Sequence, residues 1–332
     1  MTIFRRIFFA AAGLTAVFLT CLGPAAWSGQ APISTEPDAP VLHVESFNFD
    51  PSVPLEDRIG APPPFLLEWL KDADQMPTYK AYTVSPEEKK KVAAALAALP
   101  PKMKKVFKAR LVGIYFVENL IGNGMSNVLL GPDGKNYAWT AINPTGLSRT
   151  VSQILSVKED SLFKKHGTVS VDCGAPLPGV FYTLAHEATH DYNYIKGLTP
   201  YVNPYWYQVF NGTTPPANSP WDVWAGFDRP EKRFDFARRD ELLFGAPEGE
   251  GNFEAADAVK LYSALRNSPF MSLYGSKNWS EDIAELVAYS FLKRETGHPC
   301  VVKYPGPAGV LNYTPGKRAA LRAERLYRSL SR

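Results

Sequence analysis

The sequence predicts an α+β fold in which strands come first and helices follow. Segments rich in β-branched and aromatic residues indicate strands at 108–120, 136–142 and 168–172. Later segments with apolar residues at helical spacing indicate helices at 181–197, 253–267 and 279–294, and a basic amphipathic helix closes the chain. With 332 residues, 45% of them hydrophobic, the chain can form one large domain or two modest ones.

The N-terminus has the three parts of a secretory signal peptide. Arg5 and Arg6 form a short basic head, an apolar run follows from Ile7 to Leu22, and small residues stand at 26 and 28. We therefore predict a signal peptide at 1–28 and a mature protein that is secreted or periplasmic. The paired arginines also fit a twin-arginine export signal, and an uncleaved membrane anchor is the alternative.

Charge and cysteine content limit the partners of the mature chain. Removing 1–28, which holds two arginines and no acidic residue, lowers the formal net charge from +3 to +1. This balance gives no general attraction to nucleic acid, and no later stretch is apolar enough for stable membrane insertion. Two of the three cysteines, Cys173 and Cys300, lie in the mature chain. They could form a disulfide in an oxidising compartment, or they could be two small buried hydrophobic residues.

The mature chain begins with a segment of little periodicity. Residues 29–62 are rich in Pro, Ser, Asp and Glu, which predicts an extended N-terminal arm, with a propeptide as a further option. The main domain is predicted at 63–332. A short helix opens it, and a second helix is expected to start at Ser85, because Glu88 stands three residues after this capping serine. The prolines at 100 and 101 are expected to end that helix.

A long segment at 199–234 combines prolines with Trp206, Trp221 and Trp224. It is too long and too aromatic for an idle linker. We expect it either to pack over the core or to form a wall of a substrate groove.

The predicted helix at 181–197 carries two of the five histidines of the chain. His186 and His190 are four residues apart, so their imidazoles project from one face of the helix. Two such imidazoles can bind one Zn²⁺ at about 2.0–2.1 Å, while Glu187 on the neighbouring face can reach a water molecule on the metal. The spacing is the H-E-x-x-H pattern of zinc hydrolases; the alternative is a pair of surface histidines.

A catalytic zinc site needs a third protein ligand. No third histidine follows at short spacing, but the predicted helix at 279–294 carries Glu281 and Glu285 one turn apart. Asn278 or Ser280 can cap this helix at its start. A carboxylate from the second helix is therefore the expected third ligand.

The two motifs together resemble the gluzincin metallopeptidases. The HEATH sequence at 186–190 and the later E-x-x-A-E at 281–285 are similar to the branch that contains the anthrax lethal factor catalytic domain and the Pro-Pro endopeptidases. In that branch a tyrosine stands seven residues before the glutamate ligand, as Tyr274 does here. The resemblance covers 181–192 and 274–289. It implies a zincin-like fold, with a small, mostly antiparallel sheet packed on the H-E-x-x-H helix and a helical C-terminal lobe.

The resemblance also implies a role for each motif residue. His186, His190 and Glu281 would bind zinc, and Glu187 would be the general base that activates the zinc-bound water. Tyr274 would donate a hydrogen bond to the oxyanion of the tetrahedral intermediate, unless it serves only in packing.

The carboxylates near the motifs leave alternatives open. Glu285 would orient one of the ligands, or would itself bind the metal while Glu281 caps the helix. Asp191 and Asp282 are further candidates for orienting a ligand.

The sequence thus predicts an exported zinc-dependent endopeptidase that acts on protein or peptide substrates. We expect an edge strand within 108–120 to pair with the extended substrate. Two alternatives stay open: a catalytically inactive binding or structural domain with the same fold, and a zinc amidase that acts on cell-wall peptide. The intact Glu187 argues against the inactive domain, because a structural site needs no base.

Overall fold

The computed structural model describes residues 40–200 and 220–332. The predicted signal peptide, the start of the predicted arm, and Trp206 lie outside the described residues. Within them the prediction of an α+β fold is confirmed.

Five strands form the main sheet. They are β1 (Ile59–Gly60), β2 (Lys80–Ala81), β3 (Leu111–Glu118), β4 (Gly124–Leu130) and β5 (Asn136–Ile142). Their order is β1-β3-β5-β4, and β2 also pairs with β3. β3 runs parallel to β1 and to β5, whereas β4 is antiparallel to β5 and stands at the end of the sheet.

Two expectations about the segment 108–120 are wrong. Residues 101–110 form a helix, so the strand starts at Leu111; a proline at the first helical position has a fixed φ that suits a helix start. The strand is also central, because it has partners on both sides. The strand at the end of the sheet near the histidine helix is β4, which was not predicted; its last residue, Leu130, forms a bridge with His43.

The described residues contain nine α-helices. They are α1 (Pro64–Asp74), α2 (Pro86–Ala98), α3 (Pro101–Arg110), α4 (Thr145–Ser148), α5 (Val151–Asp160), α6 (Val180–Lys196), α7 (Ala258–Asn267), α8 (Trp279–Thr296) and α9 (Lys317–Ser331). The predicted start of α2 is confirmed, because Ser85 and Glu88 form a reciprocal capping box.

The main sheet is covered on both faces. Helix α6 packs against β4 and β5 on one face. On the other face, α1 and the segment from Val41 to Val44 bury apolar side chains against Trp139 and its neighbours. Residues 40–62, expected to be extended, therefore form short 3-10 turns and the parallel strand β1, because their apolar residues have a sheet face to cover.

The C-terminal part of the chain packs on the other side of α6. Helix α8 lies against α6, and α9 lies against α8. A second sheet is made of β6 (Ser170–Asp172), β9 (Val301–Gly306) and β10 (Gly309–Tyr313), and a third of β7 (Trp224–Gly226) and β8 (Arg229–Pro230). Five of the seven strand pairings in the described residues are antiparallel, so small and mostly antiparallel sheets are confirmed.

Cys173 and Cys300 form a disulfide. It joins the end of β6 to the start of β9 and closes a loop that contains both α6 and α8. Such a cross-link restricts the unfolded chain and so stabilises the fold. None of the helices in the described parts of the chain combines the length and apolarity that crossing a bilayer would require.

Candidate metal centre

Helix α6 is the central helix of the molecule. Every residue from Val180 to Ile195 is buried, because the sheet covers one side and α8 another. The helix ends at Gly197, which adopts a left-handed conformation with φ 67° and donates its N–H to the carbonyl of Asn193. The histidine pair therefore stands on a helix that is fixed on several sides.

Helix α8 begins at the centre of the site. The side chain of Asn278 accepts a hydrogen bond of 2.9 Å from the N–H of Glu281, so Asn278 is the capping residue. Ser280 has a different role: its hydroxyl lies 3.1 Å from Nδ1 of His190. The cap fixes the first turn of α8 so that Glu281 faces α6.

Three atoms from these two helices form a triangle. The distance from His186 Nε2 to His190 Nε2 is 3.2 Å, that from His186 Nε2 to Glu281 Oε2 is 3.1 Å, and that from His190 Nε2 to Glu281 Oε2 is 3.6 Å. Zinc bonds of 2.0–2.1 Å in tetrahedral geometry require about 3.3 Å between ligand atoms. The three measured distances lie within 0.3 Å of this value, and the buried group could hold a metal ion.

Nδ1 of each imidazole, the nitrogen that points away from the triangle, also has a polar neighbour. Nδ1 of His190 meets the Ser280 hydroxyl. Nδ1 of His186 lies 3.0 Å from Oε1 of Glu285, at an angle outside that of a regular hydrogen bond. Both rings are thus oriented with Nε2 towards the triangle, as metal-binding imidazoles usually are.

Glu285 lies behind the triangle and not within it. Its Oε1 accepts hydrogen bonds from Tyr182 (2.5 Å) and Lys158 (3.2 Å), and its Oε2 accepts one from Ser272 (2.5 Å). With its oxygens engaged there and against His186, Glu285 is placed to orient a ligand, whereas Glu281 is placed among the donor atoms.

Glu187 lines the same pocket as the three donor atoms. The hydroxyl of Ser126 on β4 donates a hydrogen bond of 3.1 Å to its Oε2. The strand comes this close because Gly124 lacks a side chain: a Cβ there would stand 3.0 Å from Glu187 Cγ and 2.9 Å from Thr183 Cγ2. Burial raises the pKa of the Glu187 carboxyl, and the two histidines oppose that rise only in part.

Tyr274 also lines the pocket, from a 3-10 turn just before α8. Its ring meets Phe244 edge to face at 5.0 Å, and the ammonium of Lys158 lies 3.6 Å from the ring centroid. Burial, together with the charges of Glu281 and Glu187, holds the pKa of the phenol well above 10. The hydroxyl therefore keeps its proton and can donate a hydrogen bond.

The charges of the pocket favour a cation. Burial lowers the pKa of His186, but Glu281 and Glu285 outweigh burial and raise this pKa to about 9. Burial raises the pKa of Glu281, but His186 and His190 outweigh it and lower this pKa to about 2. Carboxylates thus surround the imidazoles at neutral pH, and either protons or a metal ion would balance them.

The two remaining candidate carboxylates face away from the triangle. Asp191 accepts a hydrogen bond of 2.5 Å from Thr140 on β5, at the contact between α6 and the sheet. Asp282 is paired with Arg322 of α9 at 2.6 Å and accepts a hydrogen bond from the indole of Trp224. Both therefore fix the helices that carry the site.

The described ends of the segment 199–234 pack on the C-terminal part of the molecule. Trp224 is fully buried, and Trp221 meets Trp279 of α8 at 6.2 Å between ring centroids. These contacts agree with the expectation of a packed segment for the described residues 220–234, whereas 201–219 lie outside the described residues.

Sequence reasoning missed four side chains that contact the site residues. They are Ser126, Lys158, Tyr182 and Ser272. Ser126 and Lys158 stand on β4 and α5, and Ser272 precedes the 3-10 turn of Tyr274, so no local signal marks these three. Tyr182 lies on α6 one turn before His186, and this helical spacing is a local signal that could have found it. Comparison with models of known families, with curated proteins and with solved structures finds no match for this chain. What the site can do is therefore argued from its own geometry.

Proposed function

We propose that this protein is a zinc-dependent endopeptidase of gluzincin type. One observation carries the proposal: three donor atoms at the spacing of tetrahedral zinc ligands share a buried pocket with a carboxylate and a phenol. A structural zinc site usually has four protein ligands, whereas a catalytic site has three and leaves one position for water or substrate. The described residues around this triangle supply three donor atoms.

The proposed ligands are His186, His190 and Glu281. Two imidazoles and one carboxylate suit zinc, and an imidazole set is a poor match for magnesium or calcium, which prefer oxygen ligands. When bound, zinc would lower the pKa of a water ligand to about 7 and polarise the scissile carbonyl.

Glu187 is the proposed general base. It takes a proton from the attacking water and delivers that proton to the leaving amine, which requires a carboxylate at hydrogen-bond distance from both. The hydroxyl of Ser126 lies 3.1 Å from the Glu187 carboxylate and also 3.1 Å from the Glu187 backbone carbonyl, so it contacts the base at the edge of the pocket. The upward shift of its pKa makes Glu187 a stronger base than a solvated glutamate.

Tyr274 is the proposed donor to the oxyanion of the tetrahedral intermediate. Its raised pKa keeps the phenol protonated across the neutral range, so the hydroxyl remains a hydrogen-bond donor. A donor that is already oriented stabilises charge that develops only in the transition state.

We further propose that an extended peptide binds along β4. This strand stands at the end of the main sheet, and 122–124 at its start line the pocket. Backbone groups on such an edge can pair with a substrate strand, and the missing side chain at Gly124 lets the start of this strand lie close to Glu187. A peptide held in this way would present its scissile bond to the pocket.

The proposal includes export. The signal at 1–28 is the sequence basis for it, and the Cys173–Cys300 disulfide supports an oxidising compartment. Cell fractionation followed by N-terminal sequencing tests it. The mature chain is expected outside the cytoplasm with Gly29 as its first residue, and a chain that keeps Met1 in the cytoplasm would contradict export.

Metal analysis and peptide cleavage test the proposed activity together. The wild type should hold one zinc per chain and cleave members of a peptide library. Glu187→Gln should keep the zinc and lose turnover by about 100- to 10,000-fold, whereas His190→Ala should lose the zinc. Glu250→Gln, at an exposed glutamate, is the matched control. Full cleavage by Glu187→Gln, or a wild type without zinc, would overturn the proposal.

A further inference from the structure

Lys158 is buried beside the candidate metal centre. It lies in the last turn of α5 and is only 2% exposed. It also lines the pocket that contains the three donor atoms. Lysine is almost never buried to this degree unless its charge is paired. Helix α5 supplies none of the proposed ligands, so this cation comes to the site from a separate element.

The ammonium group has three partners for its three protons. Nζ donates to the hydroxyl of Tyr182 at 2.5 Å and to Oε1 of Glu285 at 3.2 Å, and it lies 3.6 Å from the ring centroid of Tyr274. The contact with Tyr274 is a cation–π interaction, which is strongest when the cation has lost its water. Tyr182 in turn donates to Glu285, so the ion pair is closed by hydrogen bonds.

These partners connect Lys158 to a proposed zinc ligand and to the proposed oxyanion donor. Glu285 lies 3.0 Å from Nδ1 of His186 and so influences the orientation of a proposed zinc ligand. Tyr274 carries the proposed oxyanion donor, and its ring contacts both the ammonium, on its face, and the ring of Phe244, at 5.0 Å between centroids. The position of the phenol and the position of the imidazole therefore depend on the same buried charge.

We infer that Lys158 is a positioning residue for the proposed hydrolysis: it fixes Tyr274 through its ring and His186 through Glu285. The inference rests on the proposed function, because Tyr274 has a role only if an oxyanion forms. Lys158 itself takes no part in proton transfer. Its contact with Tyr274 contributes to turnover and its contact with Glu285 contributes to zinc affinity, although Tyr274 also hydrogen-bonds the proposed ligand Glu281.

The test uses Lys158→Met, which keeps the length of the side chain and removes its charge. The single variant leaves Glu285 without its ion-pair partner and can fail to fold, so the same substitution is also made together with Glu285→Gln, which removes both charges. Each protein is measured for zinc affinity by competition with a chelator, for kcat and for KM.

Zinc affinity should respond to Lys158 mainly through Glu285. Lys158→Met alone should weaken zinc binding by about 10- to 100-fold. In the Glu285→Gln background the same change should weaken zinc binding much less. An equal loss in both backgrounds would overturn the link through Glu285.

Turnover should respond to Lys158 only through Tyr274. In the Glu285→Gln background at saturating zinc, Lys158→Met should lower kcat by about 10- to 100-fold with KM unchanged. When Tyr274→Phe is also present, the change at Lys158 should have no further effect on kcat. A purely structural lysine would lower kcat equally with and without the phenol hydroxyl, which would overturn the inference.

The two proposals fail in different ways. If the wild type binds zinc but cleaves no peptide, the proposed function fails while the affinity measurements still test Lys158. If the wild type cleaves peptides and Lys158→Met changes neither affinity nor kcat, only the role of Lys158 is refuted.

Discussion

Replacing Arg322 by methionine should destabilise the protein strongly, because this arginine neutralises a carboxylate beside a proposed ligand. Asp282 directly follows Glu281 and is fully buried. Nη2 of Arg322 lies 2.6 Å from Asp282 Oδ2, and Nη1 lies 3.2 Å from Oδ1. The guanidinium thus binds the carboxylate with two nitrogens and joins α9 to the first turn of α8.

The size of the effect follows from burial. Among the side chains that the structure describes, methionine at 322 leaves the Asp282 carboxylate with the indole of Trp224 as its remaining donor, at 2.9 Å. Breaking a buried ion pair by removing one partner costs about 3–5 kcal/mol of unfolding free energy, because the other charge stays buried without compensation. Asp222, which is 42% exposed and also pairs with Arg322, adds little because water can solvate it.

The same substitution at Arg328 is the control. Arg328 lies on the same helix and pairs at 3.1 Å with Glu324, but the two side chains are 57% and 45% exposed. Arg328→Met should therefore cost less than about 1 kcal/mol. Urea unfolding of both variants, followed by tryptophan fluorescence, gives the two free energies directly.

The pH dependence adds a second criterion. Burial already raises the pKa of Asp282, and removing Arg322 should raise it further. A carboxyl whose folded pKa is raised destabilises the protein as pH rises, so the deficit of Arg322→Met should shrink from pH 8 to pH 5. Equal losses for the two arginine variants, or a deficit that grows as pH falls, would refute the reasoning.

Three further predictions concern the pocket. Ser126→Ala should lower turnover about tenfold at unchanged zinc content, because Glu187 loses a charge-assisted hydrogen bond. Ser126→Thr keeps the hydroxyl and should turn over at the wild-type rate. A wild-type rate in the alanine variant would show that this hydrogen bond does not contribute to turnover. Gly124→Ala should destabilise the protein by about 1–3 kcal/mol in thermal unfolding, since its Cβ would stand 3.1 Å from the carbonyl of Ala141 and 3.0 Å from Glu187 Cγ; wild-type stability would contradict the close approach. Because the pKa of His186 is raised to about 9, zinc should displace a proton, and its apparent affinity should rise about tenfold per unit between pH 7 and pH 9. Calorimetry in buffers of different ionisation enthalpy measures that proton, and a pH-independent affinity would show that the imidazole is neutral.

Elements with local end signals could be predicted from the sequence. Strand β5 has the predicted bounds, and α6 ends one residue before the predicted end at 197. Strand β4 was not predicted, because it begins at a glycine. The turn at 131–134, G-P-D-G, indicates a hairpin between β4 and β5, and this signal was available.

The side chains of the candidate site also differ in whether local sequence rules predict them. The pair His186–His190 depends on helical periodicity alone, so a local rule predicts it. Local rules left Asn278 or Ser280 as the cap and Glu281 or Glu285 as the ligand, and the structure places Asn278 at the cap and Glu281 beside the imidazoles. Lys158 meets Glu285 across 127 positions of sequence, and Ser126 meets Glu187 across 61. No local pattern specifies such pairs, because they depend on how α5 and β4 pack around α6. The histidine pair can therefore be predicted from spacing, whereas partners such as Lys158 and Ser126 become visible only once the helices and strands are packed together.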